Sequence, residues 1–320
     1  MLQQTQVATV IPYWQRWLER FPTVEALASA DEQDVLSIWQ GLGYYRRCRL
    51  LQQGARFVSV QGVPKTVDEW RQVPGVGAYT AGAIASIAQG TVAPLVDGNV
   101  ERVYSRLSGD AATGPALNRN AWDWASRNVH QARPGAWNQA LMELGATICT
   151  PTRPACNRCP VASGCLARRE GRTEELPTKV AKAKPVGLQH VVWIPVFERM
   201  VGVRQIPMGS WWEGMWEFPR VELTPRPTGR RGASYSEPSH SPQVGEENAE
   251  LRRIVGDGWL QYVGDLKHTV TNHRITIEVH LVRCEARSPE LEWKDLRELQ
   301  ELPMPAPQRK ALQISSALIA

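Results

Sequence analysis

VPGVGAYTAGAIASIAQGTVAPLVDGNVERV, residues 73–103, decides how the rest of the chain is read. Pro74-Gly75-Val76-Gly77 places two glycines two apart after a proline, which predicts a tight turn that bulkier residues could not follow. Val73, Val76, Ala78, Ala81, Ile84, Ala85 and Ile87 then recur at the spacing of a small-residue amphipathic helix. A glycine turn that feeds a helix N-terminus leaves backbone N–H groups free, and these suit a phosphate oxygen. Asp97 stands before the next apolar-periodic run, Val100, Val103 and Leu107, where a carboxylate caps N–H groups. Taken alone, the stretch is a helix–turn–helix with a capping aspartate.

The chain has 320 residues, room for about two domains. Its 42% hydrophobic content supports packed cores. A formal net charge of +5, from 37 Lys+Arg against 32 Asp+Glu, permits a polyanionic partner without demanding one. No secretory segment and no membrane-spanning apolar run is legible, so an intracellular, cytoplasmic location is expected.

The chain opens Met1-Leu2-Gln3-Gln4-Thr5-Gln6-Val7, a polar stretch that reads as the inside of a helix. The aromatic and leucine stripe of residues 11–21 (IPYWQRWLERF) reads as core. Ser29-Ala30-Asp31-Glu32 and Thr66-Val67-Asp68-Glu69 read as capping boxes. Gly41-Leu42-Gly43-Tyr44-Tyr45-Arg46-Arg47 reads either as a helix end leading into a basic helix start, or as an aromatic wedge with phosphate contacts. Residues 116–148 read as two helices split at Pro134-Gly135. Helices on short loops without strands predict an all-α domain.

Cys149, Cys156, Cys159 and Cys165 follow with 6, 2 and 5 residues between them. Four thiols this close predict a metal or cluster site, and zinc takes the same four ligands as an iron–sulfur cluster. Arg153, Arg158, Arg168 and Arg169 lie within or just after the loop, either facing phosphates or as a solvated face. Cys48 and Cys284 stand alone and read as ordinary residues.

From 166 to 188 a polar, basic, proline-containing stretch reads as a connector. Beyond it period-2 alternation predicts strands at 190–197, 200–204, 259–263, 266–270 and 275–282. Residues 224–248 are rich in Pro, Gly, Ser and charge and read as a disordered insertion. Residues 306–318 read as a closing helix. Gly214-Met215-Trp216-Glu217-Phe218-Pro219 resembles the G-x-W-E-F-P strand of Nudix-like folds, but no R-E-x-x-E-E-x-x-G helix follows, which argues against diphosphate hydrolysis.

PGVG, a helix and VDGNV together resemble the helix-hairpin-helix DNA glycosylases, and LQQTQ, GLGYY and the cysteine spacing narrow the resemblance to MutY-type adenine DNA glycosylases. The fold class implied is α + (α/β). It comprises an all-α glycosylase domain over 1–165, a connector over 166–188 and a Nudix-like α/β domain over 189–320 that reads 8-oxoguanine. The cofactor implied is a 4Fe–4S cluster on Cys149, Cys156, Cys159 and Cys165. The partner implied is double-stranded DNA with adenine opposite 8-oxoguanine or guanine, bound by a monomer and not at a membrane.

The resemblance also assigns residues. Asp97 is the catalytic carboxylate, Asn99 orients it or the sugar, and Tyr79 donates a hydrogen bond. Leu2, Gln3 and Gln4 belong to the motif that probes the base stack, Tyr44 is the wedge, and Pro74, Gly75, Val76 and Gly77 grip a phosphate. Thr271 and Asn272 replace the serine and histidine of the family's Phe-Ser-His, with Val270 in place of its aromatic. Endonuclease III-like lyases carry a lysine where Tyr79 stands, and a phenol cannot form their Schiff base, so a water-using glycosylase is expected. The family's general-acid glutamate falls two positions before the methionine that Met1 matches. The chain is therefore expected to be N-terminally truncated and weakly active or inactive. The competing readings are a non-catalytic lesion-binding module and an endonuclease III-like lyase.

Overall fold

The computed structural model describes residues 1–3, 5–179, 184–223 and 244–319, with the backbone alone over 244–248. Contacts divide the chain into two compact units, Leu50–Lys182 and Met1–Arg49 with Ala183–Ala320. The helices are α1 (Val7–Arg20), α2 (Val24–Ser29), α3 (Glu32–Trp39), α4 (Tyr45–Gln61), α5 (Val67–Trp70), α6 (Ala78–Ala83), α7 (Gly98–Ser108), α8 (Gly114–Asn128), α9 (Pro134–Glu143) and α10 (Leu166–Arg169). Five-residue π turns extend α6 over Ile84–Ala88 and α9 over Leu144–Ile148.

Among its described residues the unit Leu50–Lys182 holds helices and loops and no strand, as the sequence predicts. Thr66 and Glu69 close the expected capping box on α5. The core gathers Leu95, Val96, Val100, Val103, Ala121, Ala125 and Leu141, which brings α7, α8 and α9 around the segment before Asp97. Asn138, 1% exposed, donates to Ser86 Oγ (2.9 Å) and the Ala93 carbonyl (2.9 Å) and ties that segment to the π turn after α6. Leu176, in the stretch read as a connector, is buried.

In the other unit, β1 (Val186–Phe197), β2 (Met200–Gln205), β3 (Trp216–Glu217), β4 (Arg220–Glu222), β5 (Gly258–Val270), β6 (His273–Cys284) and β7 (Glu292–Lys294) form one mixed sheet in the order β3-β2-β1-β6-β5. There β4 pairs with β1 and β7 with β2. β1 and β6 are parallel and the remaining pairs antiparallel. One face packs Leu188, Val192, Ile194, Ile275, Ile277 and Val279 with residues of α12 (Leu296–Glu301) and α13 (Ala306–Ile319). Trp193, Val221 and Val282 on the other face pack with Leu251 and Val255 of α11 (Val244–Val255). α3 and the start of α4, up to Arg49, belong to this unit. Gln33 donates to the Gly214 carbonyl (2.9 Å) and accepts from Trp216 Nε1 (3.0 Å), while Arg49 bridges Glu32 (2.7 Å) and Glu213 (3.2 Å).

Several local expectations are corrected. Residues 1–3 and 5–6 are not helical: Thr5 N–H closes a turn on the Leu2 carbonyl (3.3 Å), Gln6 is extended, and the helix begins at Val7. The stripe of α1 is only half core, for Trp17 and Phe21 are buried whereas Ile11, Trp14 and Leu18 are exposed. Ser29 caps nothing; its hydroxyl donates back to the Glu25 carbonyl (2.8 Å), and extended Ala30 hands the cap of α3 to Asp31. The strands expected at 259–263 and 266–270 are one strand, β5, kinked by a register shift between Tyr262 and Gly264. Of the insertion read at 224–248, residues 224–243 lie outside the described residues, and 244–248 are the first residues of α11.

Candidate active site

The hairpin turns as its glycines require. Gly75 sits at φ +82°, and a Cβ there would meet Leu50 Cβ at 2.7 Å, so the position excludes side chains twice over. Val76 N–H bonds to the Val73 carbonyl (3.0 Å) and closes the turn. Gly77, extended and exposed, is the N-cap of α6 with no side-chain cap, which leaves the first N–H groups of the helix without a side-chain acceptor. Pro74 and Val76 are partly buried beside them.

Asp97 caps α7 as predicted. One carboxylate oxygen accepts from the Asn99 N–H (2.9 Å) and the Val100 N–H (2.8 Å); the other accepts from Asn99 Nδ2 (3.2 Å). Three donors therefore hold the carboxylate at the positive end of the helix dipole. Tyr79 is near enough that the Asp97 charge adds to burial, the larger cause, in pushing its phenol up. Its hydroxyl donates to Met142 Sδ (3.4 Å) and not to Asp97.

Two arginines one turn apart on α7 connect this carboxylate to the cysteine loop, and sequence reading missed both. Arg102, 9% exposed, donates to Asn99 Oδ1 (2.8 Å) and to the carbonyls of Gly145 (2.7 Å), Cys149 (2.8 Å) and Gly98 (3.4 Å). Burial lowers its pKa, and the charges of Cys149 and Asp97 oppose that shift. Arg106, 2% exposed, donates to Cys149 Sγ (3.4 Å) and to the carbonyls of Thr150 (2.7 Å), Pro151 (3.3 Å) and Leu176 (2.8 Å). The available signal was their placement three and seven residues after Asn99, on the helix that Asp97 caps.

Cys149, Cys156, Cys159 and Cys165 are free thiols and line one cavity with Arg106, Ile148 and Pro154. Burial first, and then the neighbouring Cys149, Cys165 and Cys159, push the Cys156 thiol up, which is the mark of several sulfurs facing one space. Among the described residues, no three His, Cys, Asp or Glu side chains gather closely enough to hold a single metal ion. Four free thiols lining one cavity are the donor set of a metal or cluster site. Arg153, Arg158, Arg168 and Arg169 are exposed around the loop. Cys48 is buried and its thiol is pushed up; the Cys284 thiol is pushed up to about 11 by burial. Neither belongs to the cavity.

In the sheet-bearing unit, Leu2 is 59% and Tyr44 48% exposed. Gln3 is exposed, and Gln4 lies outside the described residues. Tyr44 has the left-handed φ of +51°. Thr271 and Asn272 form the exposed turn between β5 and β6; Thr271 is left-handed too, at φ +52°, and its hydroxyl donates to the Val270 carbonyl (2.8 Å). Beside this turn His273 meets the Trp211 ring edge-on at 5.0 Å, and His268 lies 6.0 Å from Trp212. Sequence reading gave these two tryptophans, which precede the Gly214–Pro219 stretch, no role of their own.

Residues 1–126 match the family model of the HhH-GPD superfamily base excision DNA repair proteins, and residues 190–313 match the NUDIX domain. The adenine DNA glycosylase of Rattus norvegicus is 37% identical over 338 residues, covering 90% of this chain and 64% of its own. That of Homo sapiens is 36% identical over 343 residues, covering 90% and 60%. Over 90% of its length the chain is similar to MutY-type adenine DNA glycosylases. A bacterial relative, the adenine DNA glycosylase of Mycolicibacterium smegmatis, is 42% identical over 174 residues, 53% of this chain and 59% of its own. The chain thus spans about three-fifths of the length of these family members. No helix among the described residues is long and apolar enough to cross a membrane.

Proposed function

We propose that this protein excises adenine from duplex DNA in which it stands opposite 8-oxoguanine or guanine, as a monofunctional glycosylase acting as a monomer inside the cell. The observation that carries the proposal is the Asp97 carboxylate, fixed by two backbone N–H groups and Asn99 in the unit that bears the PGVG hairpin. The target adenine must leave the base stack before a side chain can reach its glycosidic bond. As that bond breaks, C1′ gains positive charge, and a carboxylate that needs no reorganisation stabilises it. Asn99 keeps Asp97 aimed, with its own amide held by Arg102. Tyr79 lends a polar hydroxyl beside the sugar, and water rather than an amine completes the reaction. Protonation of the leaving base calls for a general acid, a role that none of the residues assigned here fills.

DNA would be held by Pro74, Gly75, Val76 and Gly77 on a phosphate, by Leu2, Gln3 and Gln4 at the extruded adenine, and by Tyr44 as wedge. Thr271 and Asn272 would face the oxidised guanine. Cys149, Cys156, Cys159 and Cys165 would hold a 4Fe–4S cluster, whose chemistry here is to cross-link the loop through four thiolates. Protein purified without oxygen should be brown, with about four irons and four sulfides per chain; a colourless protein with one zinc would contradict the cluster. The reading as a whole is tested by binding. Affinity for a duplex carrying 8-oxoguanine opposite adenine should exceed that for a matched duplex and weaken with salt. Equal affinities would count against it.

A further inference from the structure

Arg47 makes an expensive placement that its own stability does not explain. Its Nε and NH2 are buried without a hydrogen-bond partner. No carboxylate pairs with it among the described residues, and burial lowers its pKa. A guanidinium held in this way costs stability. The contacts it does make go to the two DNA-probing elements of its unit. Its NH1 donates to the Gln3 carbonyl, and its guanidinium lies 4.5 Å from the centre of the Tyr44 ring. Trp39, 6.0 Å away and itself buried, forms the floor. Trp39 Nε1 also donates to the Gly43 carbonyl (2.9 Å), fixing the peptide just before left-handed Tyr44. A tyrosine in that backbone conformation is strained, and an exposed ring needs a support to keep one direction. The neighbouring Arg46 is exposed and has none of these contacts.

We propose that Arg47 is a positioning residue for lesion discrimination: it locks the Tyr44 wedge and the Leu2–Gln3 probe into one rigid unit, so that both enter the duplex together. The inference rests on the proposed function above and assigns how that function discriminates. Arg47 acts through Tyr44 and Gln3, not on a phosphate, because the free nitrogens that could take a phosphate are enclosed. Lysine cannot replace it, since one ammonium cannot both stack on a ring and fork to a carbonyl.

The test uses the full chain and two labelled duplexes, one with 8-oxoguanine opposite adenine and one matched, titrated at several salt concentrations. A 2-aminopurine beside the 8-oxoguanine reports unstacking by the wedge. Arg47→Met should lower the preference for the lesion duplex by about tenfold, the order of coupling between side chains in contact. It should also abolish the 2-aminopurine signal, yet leave the salt slope and matched-duplex affinity unchanged. Arg47→Lys should recover only part of the preference. Tyr44→Leu combined with Arg47→Met should lose little more than Tyr44→Leu alone, which keeps the test open should one single variant fold poorly. A preference within twofold of wild type, or additive losses in the double variant, would overturn the inference. A salt slope lower by about 0.9 would make Arg47 a phosphate contact instead and overturn it too. A wild-type chain with no lesion preference would overturn the proposed function, and this inference with it.

Discussion

Replacing Arg102 with methionine should unfold the unit Leu50–Lys182 well before wild type. Methionine keeps most of the aliphatic packing and removes the guanidinium. Three hydrogen bonds at 2.7–2.8 Å vanish together, to Asn99 Oδ1 and the carbonyls of Gly145 and Cys149. Arg102 is only 9% exposed, so water does not readily replace the donor. Each such bond to a charged group is worth about 1.5 kcal/mol or more, and of the acceptors left behind Gly145 is buried and Asn99 and Cys149 are partly buried. The sum is about 4 kcal/mol, which lowers the midpoint of a unit this size by about 10–15 °C. The damage should also reach the carboxylate, because Asn99 loses the donor that fixes its amide, and its Nδ2 bond to Asp97 loosens. Circular dichroism melts at 222 nm, read on the helical transition, give the answer. Arg102→Lys should rescue less than half of the loss, since one ammonium cannot serve three acceptors spread around a guanidinium. A midpoint within about 3 °C of wild type for Arg102→Met would show that these bonds do not hold the unit together.

Gly145→Ala should act on the same site from the other side: a Cβ there would lie 2.6 Å from Asn99 Cβ, so a loss of about 2 kcal/mol is expected in urea unfolding, and a neutral effect would mean the contact relaxes freely. Thr271→Gly should stabilise the sheet-bearing unit by about 1 kcal/mol, because a β-branched residue at φ +52° is strained, while weakening the preference for the lesion duplex; a destabilised variant would show that the Thr271–Val270 bond outweighs the strain. His268 is held below its ordinary value of 6.5 by burial, with the Lys310 charge adding. Its folded pKa lies below the unfolded one, so its contribution is complete above pH 6.5 and is lost as pH falls from there through the lowered folded pKa. His268→Gln should therefore lose less stability than wild type between pH 7.5 and pH 5.5, and equal losses would refute the assignment.

Local chemistry made much of this protein legible. The PGVG turn, the Asp97 cap and the Thr66 capping box are each closed by residues a few positions apart, and all three form as read. The alternation of β6 likewise reports a buried face, while β1 and β2 are buried in continuous runs because both faces of the sheet are covered there. What stayed hidden depends on partners far along the chain. Arg102 and Arg106 look like ordinary basic residues of an amphipathic helix until their acceptors, up to 70 residues away, are seen. The Tyr79 hydroxyl finds Met142, 63 residues on, which no helical pattern announces. Ser29 and Asp31 compete for one cap, and only the extended backbone at Ala30 decides between them. The Gly264 region resembles a turn, yet the pairing with β6 continues across it with a bulge.

The central claim is that Asp97 serves adenine excision without a covalent amine step. The direct measurement is single-turnover cleavage of a labelled duplex carrying 8-oxoguanine opposite adenine, by the chain extended so that a glutamate stands two positions before Met1. Free adenine and an abasic strand that breaks only after alkali are the expected products. In Asp97→Asn the rate should fall by about a hundredfold or more, although asparagine still caps α7 and the melting midpoint moves by only a few degrees. Strand breaks without alkali that borohydride traps, or an Asp97→Asn variant that excises at the wild-type rate, would contradict it.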